Sequence, residues 1–470
     1  MSINSPTTTN FLNKFINNIL LIVIAVLPIS NAIGQVLTNG LKLNSNVLLW
    51  KEVLIAIAIL LMLIQIIRNG NKIKLIYIPL FVLLCIIVGY STIFNGITMQ
   101  SILIGFRFEL FWVMFLCFGY DWLGNNGFLE IKKLIGGIYF GVIGVVLLTI
   151  TSIVVGSQNL YTFLNYKEGL EGVNKVSSLF CHSIDATGAG CRLSGGFNNP
   201  NHFASYLVLV IPVIAYYLVN NKNLFFRIAN FVLLINLIIF SFLNYSRFAW
   251  LSLGITFIIF IINLIQNYNI KLRSISKIAI GLTISISFFV SFVIFLLPFN
   301  STVNNQLPYF LSKPGSTETH HKLTNIAKDI IINNLPNSIY AGYGLGQSGP
   351  AAKSDYVKVE ELKIVKENVA IADKYLIYPV KIPITENWYL QLILNGGLIY
   401  FIIYCFIVFR PIKELFSNNQ LNFYLALSIF GIIFGNLFLH LWESSVTALY
   451  FSLITLIIYQ NKKTITSIDN

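Results

Sequence analysis

Residues 47–68, VLLWKEVLIAIAILLMLIQIIR, decide the fold class. From Val53 to Ile67 only Gln65 is not apolar. A helix of about twenty such residues crosses the roughly 30 Å hydrocarbon core of a bilayer. Comparable runs lie near 17–37, 74–94, 100–120, 133–156, 201–220, 225–244, 247–267, 276–298, 388–410, 422–441 and 444–460. Together they predict an all-α polytopic membrane protein with about twelve transmembrane helices. Composition agrees. With 56% hydrophobic and 10% charged residues and a mean hydropathy of +0.76, the chain cannot cover a water-soluble globule.

The runs divide the chain into a cytoplasmic tail (1–16), N-terminal helices (17–156), an extracytoplasmic loop (157–200) and central helices (201–298). A large extracytoplasmic loop (299–385), C-terminal helices (386–460) and a second cytoplasmic tail (461–470) follow. The orientation comes from the cations. Arg68, Lys72, Lys74, Lys132, Lys133, Lys222, Arg227, Lys271, Arg273, Lys277, Arg410, Lys413, Lys462 and Lys463 fall in every second short connection or at the C-terminus. This positive-inside pattern places both termini in the cytoplasm. The net charge of +13 is therefore a topology signal, and the expected partner is the lipid bilayer, with no nucleic acid. Residues 1–16 read as a short tail and not as a removed signal peptide.

Cys85, Cys117 and Cys405 sit inside apolar runs and read as small hydrophobes. Cys181 and Cys191 lie in the first long loop, on the oxidising side, where a disulfide or two free thiols are the alternatives. The second long loop contains an expected helix at 321–334, with Leu323, Ile326, Ile330 and Ile331 on one face. Pro336 and the Gly342-Tyr-Gly-Leu-Gly346 stretch break it. The Lys- and Glu-rich stretch 353–374 is a candidate lid.

Four polar features border the apolar runs on the expected outer side. The first is Arg192 with Asn198, Asn199, Asn201 and His202, before the run 201–220. An arginine at a membrane border needs an acceptor for its donors, and the planar fork suits phosphate. Asn201 is equally a candidate helix cap. The second, Arg247, stands in a short outward connection, as an interfacial anchor or as a second anion contact. The third is Thr385-Glu386-Asn387, where Thr385 and Glu386 are helix-capping chemistry or Glu386 is a general base. The fourth comprises Lys51, Glu52, Arg107 and Glu109 as supporting residues. Arg107 and Glu109 are two apart and cannot face each other, so each needs a partner elsewhere.

Gly342 to Gly346, including Tyr343 and Gly344, resembles a phosphate cradle but lacks the strand and helix of a nucleotide site. His320-His321 has no third ligand at a metal-binding interval, so no metal or other cofactor is expected.

Arg192-Leu-Ser-Gly-Gly-Phe-Asn-Asn-Pro-Asn201, Arg247-Phe-Ala-Trp-Leu251 and the stretch 335–346 resemble, in order, three motifs of the O-antigen ligase and polymerase superfamily. These are GT-C-like membrane glycosyltransferases that use polyprenyl-diphosphate-linked glycans. Family ligases carry a His, then Asn, Ser or Gln, nine residues, Gly, two residues, and Gly, Thr or Tyr. Here Glu386, Asn387, Gly397 and Tyr400 keep that spacing, with Glu in place of His. The departure points away from ligases and toward polymerases of the Wzy type, which often have a carboxylate there.

The resemblance implies a metal-independent glycan polymerase in a bacterial cytoplasmic (inner) membrane, elongating O-antigen, capsule or exopolysaccharide. Arg192 and Arg247 would hold the donor diphosphate, and Glu386 would take the proton of the acceptor hydroxyl. Asn198, Asn201, His202, Asn387, Tyr343, Gly344, Gly346, Lys51 and Arg107 would contact substrate. Polyprenyl-diphosphate-linked donor and acceptor are the implied partners, with a chain-length regulator protein as a further candidate. An O-antigen ligase acting on lipid A core or protein is the alternative within the class. A polysaccharide transporter or flippase is the alternative outside it, although the sequence has no inverted repeat.

Overall fold

The structure is a computed structural model that describes residues 6–68, 73–95, 97–156, 159–160, 163, 179–183, 191–268, 314–333, 335, 337–349 and 387–466. It is mostly helical: α1 (Pro6–Val26), α2 (Ser30–Gln35), α3 (Trp50–Arg68), α4 (Tyr77–Phe94), α5 (Met99–Gly105), α6 (Phe111–Gly124) and α7 (Ile131–Val155) form the first half. Then come β1 (Cys181–Ser183), β2 (Cys191–Leu193), α8 (Pro200–Asn220), α9 (Leu224–Leu243), α10 (Arg247–Tyr268), α11 (Pro314–Asn333), α12 (Asn337–Tyr340), α13 (Trp388–Val408), α14 (Gln420–Gly435) and α15 (Ser445–Thr466).

Among the described residues, seven helical stretches are long and apolar enough to cross a membrane: Phe11–Thr38, Asn46–Arg68, Met99–Gly124, Ile131–Val155, Pro200–Asn220, Leu224–Leu243 and Trp388–Val408. Tyr77–Ile93, Arg247–Asn263 and Gln420–Gly435 are apolar but shorter. α15 occupies the last expected run, and the run 276–298 lies outside the described residues. α15 is less apolar because it faces protein. It packs on α6, α8 and α14 and buries Thr447, Ser452 and Thr455. Its side chains can therefore be polar where a partner is present, as where Ser205 and Thr447 share a 2.5 Å hydrogen bond.

The helices form two groups joined by α15. α1, α3, α4, α6 and α7 pack together, as do α8, α9, α10 and α14. Small residues permit the close approaches. A Cβ on Gly119 would lie 2.5 Å from Leu456, and one on Gly431 2.6 Å from Val208. The rim is apolar: Ile86, Ile93, Leu147 and Phe225 are exposed, as a lipid-facing surface requires.

α11 begins before the expected helix at 321 and ends within one residue of it. Ile330 and Ala327 pack with Leu394 of α13, flanked by Ile326 and Ile331. The expected apolar face thus docks on the helical body.

Candidate functional site

Arg192 sits in β2, opposite His182 in a register that also pairs Cys181 with Leu193 and Ser183 with Cys191. The side chains of Cys181 and Cys191 lie outside the described residues, and with them the choice between a disulfide and two free thiols. After β2 the chain turns through Gly195 (φ 58°) and Gly196 (φ 90°), whose amide donates to Leu179 O at 2.7 Å. Glycine is required at 195 twice over, since a Cβ there would lie 2.6 Å from the Phe203 ring.

The expected cap at Asn201 is corrected. Asn199 is the N-cap of α8, its side chain accepting from the Asn201 amide at 2.8 Å. Pro200 follows at the first helical position, where its missing N–H costs nothing. Asn201 is thereby free to turn its Oδ1 to an Arg192 Nη, at 3.0 Å. Asn198 is exposed just before the cap, and His202 is in the first helical turn with its carbonyl accepting from Ser205 Oγ at 2.8 Å.

The turn between α9 and α10 completes this cluster. Arg192 Nε donates to Asn244 O at 3.1 Å. The buried Asn244 amide in turn donates to Leu193 O at 2.6 Å and Pro200 O at 2.7 Å. Tyr245 adopts a left-handed conformation (φ 54°), unusual for an aromatic residue. Arg247 then opens α10 and is exposed. Burial, with the Arg247 charge nearby, lowers the Arg192 guanidinium to about 10. Arg192 is still cationic at neutral pH. Among the described residues Arg192 has no carboxylate partner; a carbonyl and an amide oxygen hold it in place.

At α13 a second correction applies. Its N-cap is Asn387, whose Oδ1 accepts from the Leu390 amide at 3.1 Å. Neither Thr385 nor Glu386 therefore occupies the capping position, and both lie outside the described residues. The Asn387 side-chain amide donates to Leu437 O at 3.0 Å and the Trp388 amide to Asn436 O at 3.1 Å. Trp388 stacks on Trp442 with centroids 5.3 Å apart. The start of α10 meets the same connection, since a Cβ on Gly435 would lie 3.2 Å from the Phe248 ring. Residues 435–442 thus bring the first turns of α10 and α13 to one end of the bundle.

Farther along α13, Gly397 (φ 84°) breaks the helical path. Tyr400 then donates to Glu109 Oε1 at 2.6 Å, Asn395 to Glu109 Oε2 at 2.5 Å, and Tyr404 to the Glu109 carbonyl at 2.8 Å. Glu109 lies in a π-helical turn, Phe106–Leu110, between α5 and α6. Arg107 points elsewhere. Its Nε and an Nη bond Glu52 Oε1 at 2.9 and 2.5 Å, beside the buried Lys51. The two residues find separate partners on α13 and α3, as their spacing requires. Arg107 thus belongs to a cluster with Glu52 on α3.

The glycine stretch 342–346 is docked on α13 and α4. The Tyr343 amide donates to Leu394 O at 2.7 Å, Gly344 to Asn395 O at 2.9 Å and Leu345 to Thr92 Oγ1 at 3.0 Å. Gly344 is at φ 101°, and Gly346 at φ 82° presses against Gly105. These amides are committed to protein acceptors. The phosphate-cradle reading is corrected to a structural one.

Glu109 is the residue whose role the sequence reading understated. The Gly397-x-x-Tyr400 spacing marked two of its surroundings, and an acidic residue inside an apolar run was a signal in itself. Among the described residues, no group of three His, Cys, Asp or Glu side chains stands together as a metal site. The stretch 353–374 and the side chains of His320 and His321 lie outside the described residues. No family model matches the chain, and no curated protein or solved structure is significantly similar to it.

Proposed function

We propose that the protein is a membrane glycosyltransferase that polymerises polyprenyl-diphosphate-linked oligosaccharides at the outer face of a bacterial cytoplasmic membrane. The observation that carries this reading is the coupling of Arg192 and Arg247 across the Asn244 turn. Arg192, held by a carbonyl and an amide oxygen and without a carboxylate partner among the described residues, stands beside a second guanidinium; this favours a dianionic ligand, and a lipid diphosphate can reach the pair at the end of the apolar helices.

In the proposed reaction Glu386 accepts the proton of an acceptor sugar hydroxyl. The hydroxyl oxygen bonds to the anomeric carbon of the donor, and the bond from that carbon to the diphosphate oxygen breaks. Polyprenyl diphosphate leaves with the electron pair, and Arg192 and Arg247 stabilise the charge it gains. The loop 299–385 would enclose the acceptor and keep water from competing.

The assay is of lipid-linked product in membranes containing the protein. Longer glycans on the polyprenyl carrier support a polymerase. Glycan moved to lipid A core or protein instead means a ligase, and an Arg192→Ala variant with undiminished product removes the arginine pair from the reaction.

A further inference from the structure

The opposite end of the bundle contains a cluster of cations that the proposed reaction does not use. Arg410, just after α13, has its guanidinium carbon 4.9 Å from the Tyr77 ring centroid, 5.3 Å from Tyr120 and 4.9 Å from Tyr459. Three rings on α4, α6 and α15 therefore hold it by cation–π attraction. None of the Arg410 N–H groups donates to a described residue.

Arg410 borders a small, partly open cavity of about 60 Å³, also lined by Lys413, Lys462, Glu414 and Thr455. Three cations thus share the cavity with one carboxylate. Glu414 is already taken, accepting from Lys462 Nζ at 2.9 Å. Burial, then the neighbouring Lys462 and Arg410 charges, holds Lys413 below the ordinary lysine range. Asp121, which follows Tyr120 on α6, is also committed, since it accepts from the Ile76, Tyr77 and Ile78 amides at the start of α4.

Two hydroxyls supply an independent observation. Thr455 and Tyr120 line the same cavity, each residue is about 1% exposed, and neither hydroxyl has a hydrogen-bond partner. Buried hydroxyls are normally paired, because an unmade hydrogen bond there costs about 1–3 kcal/mol. Cations in excess, an unused guanidinium edge and two unpaired donors describe an anion site.

We propose that this cavity binds a phosphate group, with Arg410, Lys413 and Lys462 supplying charge and Thr455 and Tyr120 supplying hydroxyl donors. An anionic phospholipid headgroup and a soluble phosphate present the same chemistry. Basic pockets between helices at the cytoplasmic ends of transmembrane bundles are suited to lipid headgroups.

The test is thermal unfolding of the purified full chain in detergent, titrated separately with phosphatidylglycerol, phosphatidylcholine and inorganic phosphate at constant ionic strength. A saturable rise in Tm with phosphatidylglycerol alone assigns a lipid headgroup. A rise with inorganic phosphate assigns a soluble phosphate. Lys413→Gln should raise the half-maximal concentration about tenfold, the loss expected when one charged hydrogen bond is removed. Thr455→Val should raise it about fivefold while leaving the unliganded Tm unchanged or higher, because it deletes an unpaired buried hydroxyl. That opposite movement separates a binding role from a packing role. No saturable rise with either anion, or an equal rise in both variants, overturns the proposal.

Discussion

Arg192 Nε donates to the Asn244 carbonyl oxygen at 3.1 Å, and this bond joins the segment before α8 to the turn before α10. The Asn244 amide secures the joint by donating to the Leu193 and Pro200 carbonyls. Placement of one arginine thereby sets its separation from the other. Asn244 is the hub because its main-chain carbonyl accepts from Arg192 while the two N–H donors of its side-chain amide reach two other carbonyls.

Replacement of Asn244 by Ala leaves both carbonyls without their donor. Each costs about 1–3 kcal/mol, so the expected outcome is a clear fall in Tm together with shortened glycans. Wild-type Tm in this variant would remove Asn244 from its bracing role.

Arg192→Lys keeps the charge but loses the planar fork, and Nε no longer reaches Asn244 O in the same geometry. Elongation should fall roughly tenfold to a hundredfold, corresponding to about 1.4–2.8 kcal/mol, with Tm little changed. Gel analysis of glycan length reads the effect. Equal activity of Lys and Arg at this position would argue against bidentate recognition.

The lowered Arg192 guanidinium makes anion affinity pH-dependent. An anion binds the protonated form, so inorganic pyrophosphate affinity should be flat below about 10 and fall as the pH rises through that value, at up to tenfold per unit. Calorimetry between pH 8 and 11 measures this. Affinity that is constant to pH 11 would show that Arg192 does not contact the anion.

Glu386→Gln removes the proposed base and is expected to abolish elongation while leaving the fold intact, because Asn387 performs the capping. Unchanged glycan length in cells sinks the general-base assignment. Loss of lipid-linked glycan flipping with polymerisation retained in vitro would favour transport.

Gly397→Ala forces a side chain into a left-handed conformation, with its Cβ 3.0 Å from the Ala341 amide nitrogen. The expected cost is about 1–3 kcal/mol, read as a lower Tm. Tyr400→Phe should cost a similar amount by leaving Glu109 one donor short. An unchanged Tm in both variants would show that the α13 kink does not depend on the Glu109 network.

The membrane-embedded helical class, the positions of the apolar helices among the described residues and the docking face of α11 were legible in the amino-acid sequence. Apolar run length and helical periodicity are local properties, and lipid rewards them wherever they occur. Caps were legible only to within a residue or two: Asn199 takes the role expected of Asn201, and Asn387 that expected of Thr385 or Glu386. The choice among adjacent polar residues depends on what else each can bond, and for Asn201 that is a guanidinium nine residues earlier.

Tertiary structure alone decided which distant polar groups meet. It brought Arg192 to Asn244, Glu109 to Asn395 and Tyr400, and Arg410 to three tyrosines from three other helices. Each meeting answers the same physical demand: a polar or charged group withdrawn from water needs a partner, and in a helical bundle that partner is supplied by whichever helix packs alongside. Sequence spacing established that Arg107 and Glu109 could not serve each other. Only helix packing established that Glu52 and α13 would.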